Sequence, residues 1–440
     1  MTNLTCLFFL VIIKFTDRVL WLFSTPLAPT SSANAIMVKV VTCTAPVNIA
    51  VIKYWGKRNA ALILPTNDSL SVTLSQDILH SKTTIAASPD FSHDRLWLNG
   101  KEEDITKNKR MHNCFRETRA LRKQLEDSSA EPLEPLSTYP VHVCSENNFP
   151  TAAGLASSAS GLAALVFTLA RLFDLPTSTS DLSRIARQGS GSACRSLFGG
   201  FVAWEMGSRD DGADSLAVQV APETHWPELQ ALICVVDDAK KGTSSTEGMQ
   251  NTVATSPLLQ HRIRDVVPER MRDMKKAILD RDFQTFAEIT MRDSNQFHAV
   301  CLDTFPPIFY LNDVSRAIIR LIHEYNATSP DGRLKAAYTY DAGPNAVIYA
   351  PKQNMKEIIH LITRYFPGAD FVDPYNFFPE GEVVGSNLPH THDKFNQNVI
   401  PVFPAGSVSR LLHTEVADGP RVLGKEESLL NEQGLPLRLK

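Results

Sequence analysis

The sequence predicts an α+β fold. Strand-type runs crowd residues 38–98, helical periodicity dominates 256–325, and the composition break at Ala221 to Pro227, APETHWP, separates the two. A chain of 440 residues with 43% hydrophobic content is long enough for two domains or one large one, and supplies a core. The expected division is an N-terminal extension at 1–36, a first domain at 37–222 and a second at 223–440.

The formal net charge of −4 excludes a nucleic-acid binder that works through bulk positive charge, so any anion must meet a locally basic site. Seven cysteines (Cys6, Cys43, Cys114, Cys144, Cys194, Cys234 and Cys301) are scattered singly without a CxxC pair. They read as reduced thiols of a cytosol-like compartment. No HExxH, Walker A or zinc spacing occurs, and no protein-built metal site is expected. The apolar run Cys6 to Ile13 is broken by Lys14, Asp17 and Arg18 before it can span a bilayer, and no basic n-region precedes it. Met37 is followed at once by strand-like VKVVTCTA, so 1–36 is expected to be dispensable. The closing Arg438-Leu439-Lys440 is not an SKL-type signal.

Taken in order, Val38 to Ile52 reads as two short strands around Pro46 and Asn48. Lys53-Tyr54-Trp55-Gly56-Lys57-Arg58 then gathers three cations and two aromatics about one glycine, which suits a purine between rings and an anion on lysine. Pro65 to Leu74 is a turn feeding an alternating strand, with Ser69 and Ser71 facing either a ligand or water. Strands at Thr83 to Ala87 and Arg95 to Leu98 follow, with Asn99-Gly100 as a hairpin turn. Lys107 to Leu125 is a surface helix whose arginines (110, 116, 119 and 122) are expected in solvent, Arg110 alone being a candidate for a nucleotide.

Tyr139 to Ser145 is strand-like, and Leu162 to Phe173 recurs at helical spacing. Between them lies PTAAGLASSASG, Pro150 to Gly161. Gly154, Ala156, Ser157 and Ser158 are small enough to let a phosphate approach the N–H groups and positive dipole end of the helix. A Ser-capped, alanine-rich core helix is the plainer reading of the same residues. After a short helix at Asp181 to Gln188, Gly189-Ser190-Gly191-Ser192-Ala193-Cys194-Arg195 forms a second small-residue nest. The fork of Arg195 projects from it to meet a carboxylate or phosphate.

Beyond the break, Leu232 to Val236 is a buried-type strand. The basic loop Lys240 to Thr246 is suited to close over phosphates, with Thr246 capping the next helix. Helices are expected at Ser256 to Arg281, Asp282 to Val300 and Tyr310 to Tyr325. The polar patch Met291, Asp293, Asn295, Gln296 and His298 is expected to supply neither acid nor base. Lys335 to Asp341 and Ala346 to Ala350 are strands flanking a Gly-Pro turn, with Asp341 at the strand end, and Lys352 to Tyr365 is a helix.

Taken together, APVNIAVIKYWGKR at 45–58, ENNFPTAAGLASSASG at 146–161, GSGSACRSLFGG at 189–200, DSNQFHA at 293–299 and YDAGPNA at 340–346 resemble the diphosphomevalonate decarboxylase family. That family sits in the superfamily of galactokinase, homoserine kinase, mevalonate kinase and phosphomevalonate kinase. The resemblance implies a two-lobed, small-molecule-kinase-like fold: a lobe like ribosomal protein S5 domain 2, a ferredoxin-like C-terminal lobe, and the active site in the cleft. It implies an ATP-dependent carboxy-lyase that phosphorylates the tertiary hydroxyl of (R)-5-diphosphomevalonate, then loses phosphate and CO2 to give isopentenyl diphosphate in isoprenoid and sterol biosynthesis.

Carried over by position, Asp341, Arg195, Lys53 and Ser158 are the implied catalytic residues. Tyr54, Trp55, Gly56, Lys57, Ser190, Gly191, Ser192, Ala193, Cys194, Arg195 and Thr246 fall to the substrate. Arg110, Gly154, Leu155, Ala156, Ser157 and Ser158 fall to ATP. Mg2+ arrives through ATP, with Ser158 as a candidate contact. A cytoplasmic homodimer is implied, with a peroxisomal share left open, and neither nucleic acid nor membrane as partner. Ala156 replaces a glycine of the superfamily cradle, and Ala193-Cys194-Arg195 stands where the sugar and mevalonate kinases tend to carry an Asp. The other readings are a small-molecule kinase that stops at the phosphorylated alcohol, and a non-catalytic binding protein.

Overall fold

The computed structural model describes residues 38–149, 157–236, 242–379, 382, 384, 385 and 394–439. The extension 1–36 lies outside the described residues, as do Gly154, Leu155 and Ala156 of the small-residue junction and Lys240 and Lys241 of the basic loop.

The β-branched opening forms the two expected strands, Lys39–Pro46 and Asn48–Ile52, and they enter different sheets. The first joins a six-stranded sheet in the order Arg421–Val422, Lys39–Pro46, His80–Ala87, Val141–Asn147, Arg95–Leu98, Lys101–Glu103. Its pairs are antiparallel except Arg95–Leu98 with Val141–Asn147. Asn99-Gly100 makes the predicted turn, placing Leu98 opposite Lys101. Asn48–Ile52 closes a four-stranded antiparallel sheet with Ser69–Thr73, Phe201–Trp204 and Ala217–Ala221. A five-stranded sheet follows in the order Ala337–Tyr340, Ala346–Pro351, Leu229–Val235, Arg410–Glu415, Asp370–Phe371.

The Ser157–Leu172 helix lies on the six-stranded sheet. Buried Ala159, Ala163, Ala164 and Ala170 let it approach closely, and Ser160 Oγ reaches Ser81 Oγ at 2.7 Å. The halves on either side of 222 are not separate cores. Ile49, Val72 and Phe201 of the four-stranded sheet meet Leu229, Ile233 and Tyr349 of the five-stranded one in a single apolar cluster completed by Met271 and Phe286. Arg421–Val422 returns to pair with Cys43 and Thr44, so the end of the 223–440 span completes the first sheet.

Several local expectations are corrected. The arginines of the Lys109–Ser128 helix are not all solvated. Arg122 is 3% exposed and donates to the carbonyls of Phe173 and Glu134, and Arg119 forks onto Asp94 with two bonds of 2.7 Å. Ser244, not Thr246, caps the Ser245–Thr255 helix, accepting from Glu247 N–H. The single helix expected over 256–281 is Pro257–His261, a π-turn at Arg262–Val266, and Val267–Asp280. Pro268, in the first turn of the last piece, lacks the N–H that would continue the regular ladder. The helix expected from Tyr310 begins at Asp313, because Asn312 and Ser315 form a reciprocal capping box there.

One backbone position ties the sheets together. Gly200 has φ +72°, takes a bond from Thr73 N–H, and donates to Ala417 O. A Cβ there would lie 2.2 Å from Ala221 O. Gly200→Ala is therefore expected to lower the unfolding free energy by about 2–4 kcal/mol in urea titration; an unchanged midpoint would contradict this account of the turn.

Candidate active site

Two strands from different sheets deliver the central pair. Lys53 follows Asn48–Ile52, and Asp341 follows Ala337–Tyr340 just before the Gly-Pro turn. Lys53 Nζ donates to Asp341 Oδ1 and to Ala50 O, each at 2.6 Å. Lys53 is only 2% exposed, so burial pushes its pKa down against the opposing pull of Asp341 and Asp293. The Asp341 side chain retains 31% exposure and reaches the cavity.

Arg195 sits in the 3-10 turn Gly191–Leu197 rather than projecting freely from a nest. Its guanidinium is buried and donates to Ser69 Oγ (2.6 Å), Ser71 Oγ (2.9 Å), Ser192 Oγ (3.1 Å) and Asn48 Oδ1 (3.3 Å). Ser69 and Ser71 thus face neither water nor ligand; they aim the arginine. Among the described residues no carboxylate pairs with it. Gly191 is required by close packing, since a Cβ would meet the Tyr54 ring at 2.8 Å and Trp204 at 2.9 Å.

One cavity gathers Lys53, Tyr54, Trp55, Lys57, Arg110, Ser158, Ser190, Gly191, Ser192, Arg195, Thr246 and Asp341. Gly56, Ser157, Ala193 and Cys194 are not among its lining residues. Ala193 and Cys194 are wholly buried. The Cys194 thiol donates to Gly191 O, and burial raises its pKa to about 12, so it stays protonated and inert. The purine sandwich expected of Tyr54 and Trp55 does not form. Trp55 is 2% exposed, packs edge-on against Phe297 and Tyr310 and donates to Thr252 Oγ1, while Tyr54 leans on Trp204. Thr246, displaced from its expected capping role, accepts from Arg110 Nη2 at 2.9 Å and joins two helix starts across the cavity. Ser158 Oγ lies 3.3 Å from Ser190 Oγ, which brings the two small-residue motifs together.

Among the described residues the lining holds four cations, Lys53, Lys57, Arg110 and Arg195, against one carboxylate, Asp341. The Tyr54 hydroxyl is buried without a hydrogen-bond partner among the described residues. Uncompensated cations and an orphaned hydroxyl fit a polyanion such as a nucleotide phosphate tail or a diphosphate. His298 supplies no acid or base at neutral pH, since burial and then Lys53 hold its pKa near 3. Sequence reasoning missed the orienting role of Asn48, Ser69 and Ser71, and missed Ser244, Met249 and Phe297 as lining. Small polar residues on a strand carry no signal of their partner until the facing turn is placed.

Fold and cavity define an α+β enzyme whose described lining, rich in cations around Asp341, suits acidic small molecules. Residues 45–217 match the diphosphomevalonate decarboxylase-like N-terminal domain, and residues 231–423 match the mevalonate 5-diphosphate decarboxylase C-terminal domain. The chain belongs to the diphosphomevalonate decarboxylase family. It is 65% identical over 398 residues to the diphosphomevalonate decarboxylase of Ganoderma lucidum, covering 90% of this chain and 98% of that relative. It superposes on a crystal structure of mevalonate 5-diphosphate decarboxylase with TM-score 0.79 at 50% identity, covering 90% of this chain and 99% of the other. A complex of MDDEF with MVAPP, AMPPCP and magnesium gives TM-score 0.66 at 31% identity, covering 88% and 100%.

Burial, followed by the neighbouring Arg110, lowers the Lys57 pKa to about 8. Its ammonium is charged below that pH and lost above it, so attraction for an anionic ligand weakens as pH rises through about 8. KM for the acidic substrate should climb on that limb, and Lys57→Arg should move the limb to higher pH. An identical profile in the variant would remove Lys57 from the binding reading.

Proposed function

We propose that this chain catalyses the ATP-dependent decarboxylation of (R)-5-diphosphomevalonate to isopentenyl diphosphate, with ADP, phosphate and CO2 as co-products. The observation that carries it is one carboxylate, Asp341, paired with buried Lys53 in a cavity whose other charged lining groups, among the described residues, are all cations. ATP with Mg2+, which the related MDDEF complex holds as AMPPCP and magnesium, supplies the phosphoryl group that turns a tertiary hydroxyl into a leaving group.

The chain's own residues do the rest by placement and charge. Asp341 aligns the 3-hydroxyl and takes its proton as the oxygen–phosphorus bond forms, while Lys53 holds the first carboxylate oxygen in place. Ser158 and Arg110, both in the cavity lining, are the groups assigned to phosphoryl oxygens in this reading. When the C3–O bond breaks, phosphate departs with its electron pair and positive charge grows at C3. The bond from C2 to the carboxylate then breaks, its pair forms the C=C bond, and CO2 leaves. Arg195, held by three hydroxyls and an amide oxygen but unneutralised by any described carboxylate, is placed to grip the substrate carboxylate until that step.

A cytoplasmic setting belongs to the same proposal, supported by six free, buried cysteines among the described residues. So does a homodimer, supported by exposed Leu258, Leu302, Phe305 and Phe309 around the end of the Phe283–Asp303 helix. The domain reading places ATP and substrate binding at 37–222 and the catalytic carboxylate at 223–440.

Supplied with (R)-5-diphosphomevalonate and ATP, the protein should release ADP and CO2 in equal amounts. ADP without CO2 would make it a kinase and refute the proposal. Asp341→Asn should lower kcat by roughly 10³-fold or more while leaving nucleotide affinity near that of the parent, measured by turnover and by equilibrium binding of a non-hydrolysable ATP analogue.

A further inference from the structure

Four consecutive residues of the Phe283–Asp303 helix, Asp293 to Gln296, take no part in the chemistry above, yet each bonds toward it. Asp293 Oδ1 accepts from Lys53 N–H at 2.8 Å. Ser294 Oγ accepts at 3.0 Å from the N–H of Tyr340, the residue before Asp341. Asn295 Oδ1 accepts from the Tyr338 hydroxyl at 3.1 Å. Gln296 Oε1 accepts from Arg262 at 2.8 Å and Arg270 at 3.0 Å.

Those two arginines also hold Asp293. Arg262 forks onto both of its oxygens at 2.8 and 2.9 Å, and Arg270 reaches Oδ2 at 2.9 Å. Arg262 Nη2 further donates to Lys53 O at 3.0 Å, so the N–H and the carbonyl of Lys53 are gripped by the two members of one ion pair. Asp293 and Arg262 are both 0% exposed, and Ser294 is 1% exposed. Arg262 opens the π-turn Arg262–Val266, a wider helical turn of the kind that recurs at functional sites.

The geometry therefore has a purpose beyond filling space. Lys53 and Asp341 hang from the ends of strands in different sheets, and no strand pairing sets the gap between them. The Phe283–Asp303 helix touches the backbone beside both, and does so with adjacent side chains. We propose that Asp293 and Ser294 are positioning residues that fix the spacing of the Lys53 ammonium and the Asp341 carboxylate. The proposal rests on the reading that Asp341 faces the reacting hydroxyl.

Ser294→Ala in the full chain tests it, because it removes one acceptor and little volume. CO2 release should show kcat lowered about tenfold, with KM for both substrates within about twofold of the parent. If Ser294 acts through Asp341, adding Ser294→Ala to Asp341→Asn should change the residual rate by less than about twofold. A parental kcat in the single variant, or a tenfold loss that persists in the Asp341→Asn background, overturns the proposal. If Ser294→Ala is recovered unfolded, Ser294→Cys, of similar volume but a weaker acceptor, is read against the same outcomes. Failure of the unaltered chain to release CO2 would refute the functional reading instead, which separates the two.

Discussion

The Lys53–Asp341 pair is the constraint on which the site depends. Its members are 288 residues apart in sequence, and the ammonium is almost completely buried. Moving an ammonium out of water is unfavourable by several kcal/mol unless a counter-charge and hydrogen bonds replace its hydration. Ala50 O and Asp341 supply that replacement. The pair therefore stands only when the four-stranded and five-stranded sheets are both in place, and their shared apolar cluster keeps them there. Site assembly and the joining of the two halves are one event in this fold.

Arg195 obeys a different rule. It is as buried as Lys53, yet its described partners are hydroxyls and an amide oxygen, whose dipoles orient a guanidinium without cancelling its charge. Arg262, by contrast, is neutralised by Asp293. Removing one member of such a buried pair typically costs about 3–5 kcal/mol. One buried arginine thus holds the backbone, and the other has no carboxylate paired with it among the described residues. Local placement of charge, rather than the overall balance of −4, decides what this protein attracts.

Much of this was legible from residues whose meaning is local. Strand alternation placed both early strands, Asn99-Gly100 placed a hairpin, and the Asp before Gly343-Pro344 was recognised at a strand end. What escaped depends on distant partners. Trp55 looked like a ligand platform because a sequence cannot show Phe297 and Tyr310 closing over its ring. Arg122 looked solvated because the carbonyls it satisfies lie on segments beyond its own helix. Thr246 looked like a cap because Ser244, two residues earlier, competes with identical chemistry. The contacts of Asp293 and Ser294 with the two strand ends need tertiary structure to be seen, and Ser294 carries no signal of its own in the sequence.

The departure at Ala193-Cys194-Arg195 now has a physical meaning. The resembling kinases tend to carry an acid near this point, whereas here a cation occupies the turn and, among the described residues, the only lining carboxylate is Asp341, at the Gly-Pro turn. A second carboxylate at the turn would repel a substrate that brings its own, and would hold negative charge where decarboxylation needs an unpaired cation. In the proposed reaction Arg195 anchors the substrate carboxylate while Asp341, which lines the same cavity, meets the hydroxyl. The carbon between these two groups is the one whose bond must break. On the proposed function, a guanidinium in place of an acid at this turn is what lets the frame hold a phosphorylated alcohol through loss of CO2 instead of releasing it.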